Sequence, residues 1–370
     1  MKQTKTLTFH YPINNGAFLQ TYALQRVLID TCKVENEIIN YQSPEQKATY
    51  KIFQPIKGKS DLLKNAFSLV HYRKLKKRER GFQQMRERFF IQSEEVSTVE
   101  EVRHLAEAAD VNLVGSDQVW NTKISACTPA FFLHNVKAKK ITYAVSCGSS
   151  AKMDLIREYT HDIESFDALG VREPSLMQVL EFYPKEKTVT LDPTLLLDKE
   201  AYACLYDSQK PVRKGEYILL YSMRYSDGLL KTVKRISEAM GLPVVVPFTT
   251  FKTVKCLKYG FRIVYDASPD LFLNLIDHAK MVLTNSFHGT AFSVIFRKNF
   301  FHVCDVVDGS MKRDDRIDDL LGALGLDRNI CLNSELDEVT RRQVVCYDSV
   351  EEKLQTLRAA SLDFLRRQLS

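Results

Sequence analysis

Hydrophobic period alternates along the first forty residues of this 370-residue chain, and that alternation restricts the fold more than any other feature. Lys5–Phe9 carries a short strand pattern, and Ala17–Asp30 sets Leu19, Tyr22, Ala23 and Val27 at helical spacing. Val34–Asn40 then returns to a strand pattern. Strand, helix and strand joined by short connections form a parallel βαβ unit, because parallel neighbours need a crossover between them. Further strands are predicted at Val111–Gly115, Ile141–Ser146, Thr188–Leu191, Tyr217–Ser222, Val244–Pro247, Met281–Thr284 and Phe300–Val303. Helices are predicted over Asp227–Met240, Pro269–Ala279, His288–Phe296 and Ile317–Leu324. The fold class is α/β with mainly parallel sheet.

The polar stretch Asp207–Gly215 holds Pro211 and precedes a fresh strand. It separates two expected Rossmann-like domains, residues 1–206 and 216–345. Residues 41–100 fit the alternation poorly and are expected to be a helical insertion in the first. Residues 346–370 form one amphipathic pattern (Leu354, Leu357, Leu362, Phe364, Leu365), expected to be a helix returning towards the N-terminal domain across the junction.

A net charge of +6 favours anionic partners only weakly and argues against a nucleic-acid binder. The eight cysteines are scattered without a Cys-x-x-Cys pair, which predicts reduced thiols, not a disulfide framework or a zinc site. No apolar run of about 18 residues and no secretory h-region is present, so a cytoplasmic protein is expected. His71–Phe90 carries eight Lys/Arg against two Glu. One reading is a basic helix making peripheral contact with the inner face of a membrane. The other is a solvated face with Phe82, Met85, Phe89 and Phe90 turned inward.

Two segments follow strands and open helices, where open α/β sheets place their ligands. In Asn14–Gln20, Gly16 allows a tight turn and the helix start would aim N–H groups at an anion. In Leu283–Thr290, Ser286, His288 and Thr290 surround a helix start beside Gly289, and the imidazole supplies an acid or base near neutral pH. A capping Ser with a structurally satisfied His fits the same pattern. Gly115–Asn121 holds the only Trp, Trp120, with Ser116 and Asp117 beside it. That grouping suits a sugar, or a turn closed by Asp117 over a core Trp. Ser146–Ser150, with Gly148 and Ser149, could form an anion-binding nest. Arg172 stands at a strand end, suited to forking a carboxylate or to pairing with Glu173.

Gly-x-Gly, the P-loop, Asp-x-Asp, His-Glu-x-x-His and Gly-x-Ser-x-Gly are all missing. The dinucleotide, P-loop, simplest metal-dependent nucleotide-sugar, zinc-protease and serine-hydrolase readings therefore fail. The acidic group Asp314, Asp315, Asp318 and Asp319 reads as charge bias at a helix start, and no metal is expected.

Taken in order, Asn15–Gln25, Val114–Asn121, Val171–Glu173, Leu191–Leu196 and Thr284–Ser293 resemble the polysaccharide pyruvyl transferase family. The resemblance implies two Rossmann-like domains facing across a cleft, as in GT-B glycosyltransferases. It implies transfer of a pyruvyl group from phosphoenolpyruvate to a sugar, giving a cyclic ketal and phosphate, with no further cofactor. A small trianion needs converging positive charge and N–H donors. Within this family reading Arg172 forks the donor carboxylate, Ser286, Gly289 and Thr290 hold its phosphate, and Gly148 and Ser149 assist. His288 moves the proton. Some relatives carry Arg-Leu-His where this chain reads Ser286-Phe287-His288, so another cation is required; Arg224 and Arg316 stand in reserve to Arg172 as the carboxylate anchor. An Asp found in other relatives is replaced by Ala17. Asn14, Gly16, Gln20, Ser116, Asp117 and Trp120 are expected to wall the acceptor, a sugar or lipid-linked glycan. The competing readings are a GT-B-type glycosyltransferase using a nucleotide sugar and a catalytically silent glycan-binding protein.

Overall fold

Six parallel strands, each reached by a crossover, build one sheet: β1 (Gln3–Leu7), β2 (Glu35–Ile38), β3 (Val111–Val114), β4 (Lys139–Val145), β5 (Ala168–Val171) and β6 (Glu186–Val189). Their order is β2-β1-β3-β4-β5-β6, with Thr4 opposite Asn36 on one side and Val111 on the other. The chain leaves β1 to one side for β2 and then crosses to β3 on the other, so the carboxyl ends of β1 and β3 flank a topological switch point. The strand interiors are apolar on both faces (Val111, Leu113, Val114, Ile141, Val145, Leu169, Val171), as a sheet covered by helices on both sides requires.

A second sheet contains β7 (Ile218–Tyr221), β8 (Val244–Pro247), β9 (Arg262–Val264), β10 (Met281–Thr284) and β11 (Phe300–Cys304). A two-stranded ribbon, β12 (Val306–Val307) and β13 (Ser310–Met311), precedes the sheet's last strand, β14 (Ile330–Leu332). The sheet order is β14-β11-β10-β7-β8-β9, all parallel, which is the strand order of a dinucleotide-type Rossmann sheet. Its switch point lies between β7 and β10. The expected α/β class with two Rossmann-like domains is what the chain adopts. The edge strands β9 and β14 escape sequence reading because three residues are too few to show a period.

The computed structural model describes residues 1–148, 154, 156–304, 306–307, 310–311, 314–339 and 344–370. These divide into two compact units, Met1–Gln54 with Met85–Leu196 and Leu354–Ser370, and Pro55–Gln84 with Leu197–Lys353. The expected insertion, 41–100, is therefore shared, with Pro55–Gln84 counting in the second unit. The reason is aromatic packing: Phe67 stacks on Phe248 at 5.9 Å, and Arg78 lies over the same ring at 5.7 Å while donating to the Ala267 carbonyl. All eight thiols are free. Among the described residues no helix is long and apolar enough to cross a membrane.

Leu354–Ser370, the larger part of the helix Tyr347–Leu369, belongs to the first unit. Arg358 donates to the Leu195 carbonyl at 2.6 Å, Ser361 accepts from the Leu191 N–H at 3.0 Å, and Phe364 is fully buried at Gly170 of β5. Phe364→Ala should cost about 3–5 kcal/mol through the cavity it leaves. Urea unfolding should show the midpoint fall with an unchanged slope.

Candidate active site

Both switch points carry a helix start, and the two differ in how that start is finished. In the first unit Asn14 caps the helix Asn15–Arg26, its Oδ1 accepting from the N–H groups of Gly16 and Ala17 at 2.8 and 3.3 Å. The N–H groups expected to meet an anion are closed by the chain's own side chain. In the second unit the helix Phe287–Ile295 begins after β10 with Ser286 at the cap position, and Ser286 makes no side-chain cap bond. The serine-cap reading of this segment is thus set aside.

Around that second start the geometry is tight. Asn285 ties the two loops of the switch point together, its Oδ1 accepting from Met223 N–H at 2.8 Å and its Nδ2 donating to the Arg224 carbonyl at 3.2 Å. Gly289 is the contact on which the helix seats: a Cβ there would lie 2.1 Å from Thr284 Oγ1 and 2.8 Å from the Tyr221 ring. His288 is half-buried, its ring 5.4 Å from that of Phe287. Arg316 passes over the Phe287 ring at 5.7 Å while forking Asp314 through Nε at 2.9 Å and Nη2 at 2.6 Å. Burial works against ionised Asp314, yet the guanidinium overcomes it and holds the carboxyl below its usual range. Arg224 is exposed on the β7 loop.

Thr290 is a correction. It is wholly buried, and its hydroxyl bonds His302 Nδ1 at 2.9 Å, so it faces β11 and not a ligand at the helix start. His302 is pushed down to about 4, by burial first, with Arg224 and Arg316 lowering it further against Asp314. The sequence reading missed Asn285, Asp314 and His302 as members of this group. Asn285 lies within the singled-out segment without a role assigned to it, and Asp314 and His302 join it only once β10 and β11 lie side by side.

The first unit corrects more of the expectations. Arg172 is 2% exposed, with Nη2 2.7 Å from Asp192 Oδ2, a bond to Ser116 Oγ, and Nη1 3.7 Å from Asp117 Oδ1. The guanidinium thus holds two of the chain's own carboxylates, those of Asp192 and Asp117. Asp192 in turn caps the turn Pro193–Leu196 through Thr194 N–H and Oγ1, at 2.9 and 2.6 Å. The nest at Ser146–Gly148 is filled from within: buried Glu173 accepts from Ser146 Oγ at 3.0 Å and Cys147 N–H at 2.8 Å. Gly148, at φ +84°, donates its N–H to Ser146 Oγ at 2.9 Å. Ser149 lies outside the described residues.

Trp120 is a core residue, donating Nε1–H to the Phe131 carbonyl at 3.0 Å and stacking on Phe132 at 5.5 Å. Gln20 is fully buried and donates to Thr8 Oγ1 and the Ala17 carbonyl. Gly16 and Ser116 are buried as well, so of the six acceptor-wall candidates only Asn14 and Asp117 reach solvent. Helical neighbours deceived the reading: a polar side chain beyond a strand end serves the turn itself as readily as a ligand.

Two outcomes follow from this geometry. Arg172→Ala leaves Asp192 buried without its ion pair and should lower unfolding free energy by about 3–5 kcal/mol, measured by urea titration. His302 binds a proton near 6.5 when unfolded but only near 4 when folded. The unfolded state therefore holds more protons in between, and stability complete above that window falls by up to about 3 kcal/mol as pH drops through it. His302→Gln should flatten this part of the stability–pH curve in thermal unfolding.

The comparisons agree with this architecture. Solved structures with similar folds include Staphylococcus aureus MnaA with UDP, 14% identical with a TM-score of 0.54 over 98% of this chain and 92% of that one. UDP-GlcNAc 2-epimerase from Neisseria meningitidis bound to UDP-GlcNAc is 10% identical, with a TM-score of 0.54 over 100% and 99% of the two chains. Anabaena HepE in complex with UDP and glucose is 9% identical, with a TM-score of 0.52 over 100% and 98%. Comparison with curated proteins returns no match. The family model for polysaccharide pyruvyl transferase matches residues 14–303, from the cap of the first helix into β11, and the chain belongs to that family.

Proposed function

We propose that the protein transfers the pyruvyl group of phosphoenolpyruvate to two hydroxyls of a sugar in a glycan precursor, closing a cyclic ketal and releasing phosphate. Family membership supports transfer of a pyruvyl group. The observation that carries the site is the helix start at Ser286, finished by no side-chain cap, at the switch point of the second sheet. Such a start favours a phosphate by both its N–H groups and its dipole.

Ser286 and the backbone of Phe287–Gly289 hold the phosphate in this reading, and Arg224 takes the carboxylate that Arg172, committed to Asp192, does not. Arg224 also supplies the cation that the Ser286-Phe287-His288 run lacks, since Arg316, brought over Phe287 from a different helix, is forked by Asp314. A proton joins the methylene carbon of the donor and makes C2 electrophilic. One sugar oxygen bonds to C2, and the C2–O bond to phosphate breaks with its electron pair leaving on phosphate. A second sugar oxygen then bonds to C2. The two hydroxyls release two protons, of which one balances the new methyl group and the other leaves with phosphate. His288 is the acid–base group beside these bonds.

A nucleotide-sugar donor is the competing reading, because the same helix start and strand order suit a diphosphate. Ligand binding raises apparent stability, so phosphoenolpyruvate should raise the melting temperature, and a shift with UDP-sugars alone would overturn the proposal. His288→Gln should lower phosphate release about 10²–10⁴-fold while the melting temperature holds. Arg224→Ala should raise the KM for phosphoenolpyruvate about tenfold or more. Mass gain on a candidate glycan precursor incubated with labelled phosphoenolpyruvate tests the ketal directly.

A further inference from the structure

The helix Lys59–Val70 is inverted relative to an ordinary surface helix. It turns Ser68 and Phe67 towards the second unit, Phe67 stacking on Phe248 and meeting Phe251 edge-on at 5.2 Å. Its other face is apolar and faces outward. Leu62, Leu63, Leu69 and Val70 fall on one side of the helix at its 3.6-residue period, and they are 52–79% exposed. The stripe is about 12 Å long. Ile56 before it and Tyr72 after it are exposed too.

Charge is concentrated on the same segment. Pro55–Gln84 holds nine Lys/Arg against two acids, a net +7, which exceeds the +6 of the whole chain. Both acids are spent on close neighbours, Asp61 on Lys64 at 3.0 Å and Glu79 on Lys76 at 2.6 Å. Exposed Lys57 and Lys59 stand at one end of the stripe, and exposed Arg73 and Lys74 at the other, the Lys74 ammonium lying 4.8 Å over the Tyr265 ring. Further along, Arg78 is buried, Lys77 is bound to Asp266 at 2.6 Å, and Arg80 is exposed.

We propose that this face docks on an anionic lipid bilayer, with Leu62, Leu63, Leu69 and Val70 entering the boundary between headgroups and acyl chains. Lys57, Lys59, Arg73 and Lys74 hold lipid phosphates, their stems lying along the apolar surface. An apolar stripe bracketed by cations lies in the plane of a membrane interface. A second copy of the chain on this face would set +7 against +7, and a nucleic acid would leave the leucines in water. The proposal is independent of the donor's identity.

Vesicle co-sedimentation tests it with the full chain. Vesicles of phosphatidylcholine with roughly a third phosphatidylglycerol should carry the protein down, neutral vesicles should not, and binding should weaken as salt screens the charges. The variant K57E/K59E/R73E/K74E should lower partitioning at least about tenfold. Leu62→Gln with Leu69→Gln should lower it on the same vesicles with charge unchanged, and both variants should melt as the parent does. Equal binding to neutral and anionic vesicles, no binding to either, or parent-like binding of both variants overturns the proposal. Sedimentation velocity showing self-association abolished by Leu62→Gln with Leu69→Gln would assign the face to a second copy instead and overturn it as well.

Discussion

The Arg172–Asp192 pair at the carboxyl edge of the first sheet is the contact on which the surrounding loops depend. An arginine and an aspartate out of water are costly unless each finds partners for its remaining atoms. Here those partners come from separate segments. Ser116 and Asp117 come from the turn after β3, and Thr194 from the turn after β6. The neighbouring residue, Glu173, binds the turn after β4. Three of the segments that mark the chain as a family member (114–121, 171–173 and 191–196) are therefore one buried polar network. Their shared occurrence has a structural cause before any catalytic one.

That network explains why the first unit's polar strand ends are poor guides to ligands. Groups expected to meet an anion already meet an acceptor supplied by the chain: Glu173 in the nest, Asp192 at the guanidinium, and the neutral amide oxygen of Asn14 at the helix start. In the second unit the analogous position is differently finished. Asn285 spends its amide on joining two loops, Gly289 lets the helix approach β10 and β7, and Ser286 leaves the first turn without a side-chain cap. His288 sits on that turn, with Arg316 over the adjacent Phe287 ring. The two helix starts differ in one side-chain oxygen: that of Asn14 caps the first, and that of Ser286 does not cap the second.

The basic segment shows the same economy at the surface. Its cations divide by destination: Arg78 is buried against Phe248, Lys77 is paired with Asp266, Lys74 lies over the Tyr265 ring, and Arg73 is exposed. Of the two readings taken from the sequence, the inward-facing one holds for part of this helix. Phe82 and Met85 are core, as an amphipathic face requires. The outward apolar stripe lies one helix earlier, where sequence periodicity alone describes an ordinary amphipathic helix without saying which side meets water.

Sequence alone determined the α/β class, the two Rossmann-like domains, the family, and His288 at a helix start, because these rest on local period and on residues near one another in the chain. Tertiary structure decided which polar groups are spent on the fold. Arg172 meets Asp192, and Thr290 meets His302, only when strands remote in sequence become neighbours in a sheet. It likewise decided that Trp120 belongs to the core and that Leu62 and Leu69 face outward. A period fixes the width of an apolar face, and only the packing of the rest of the chain fixes what covers it.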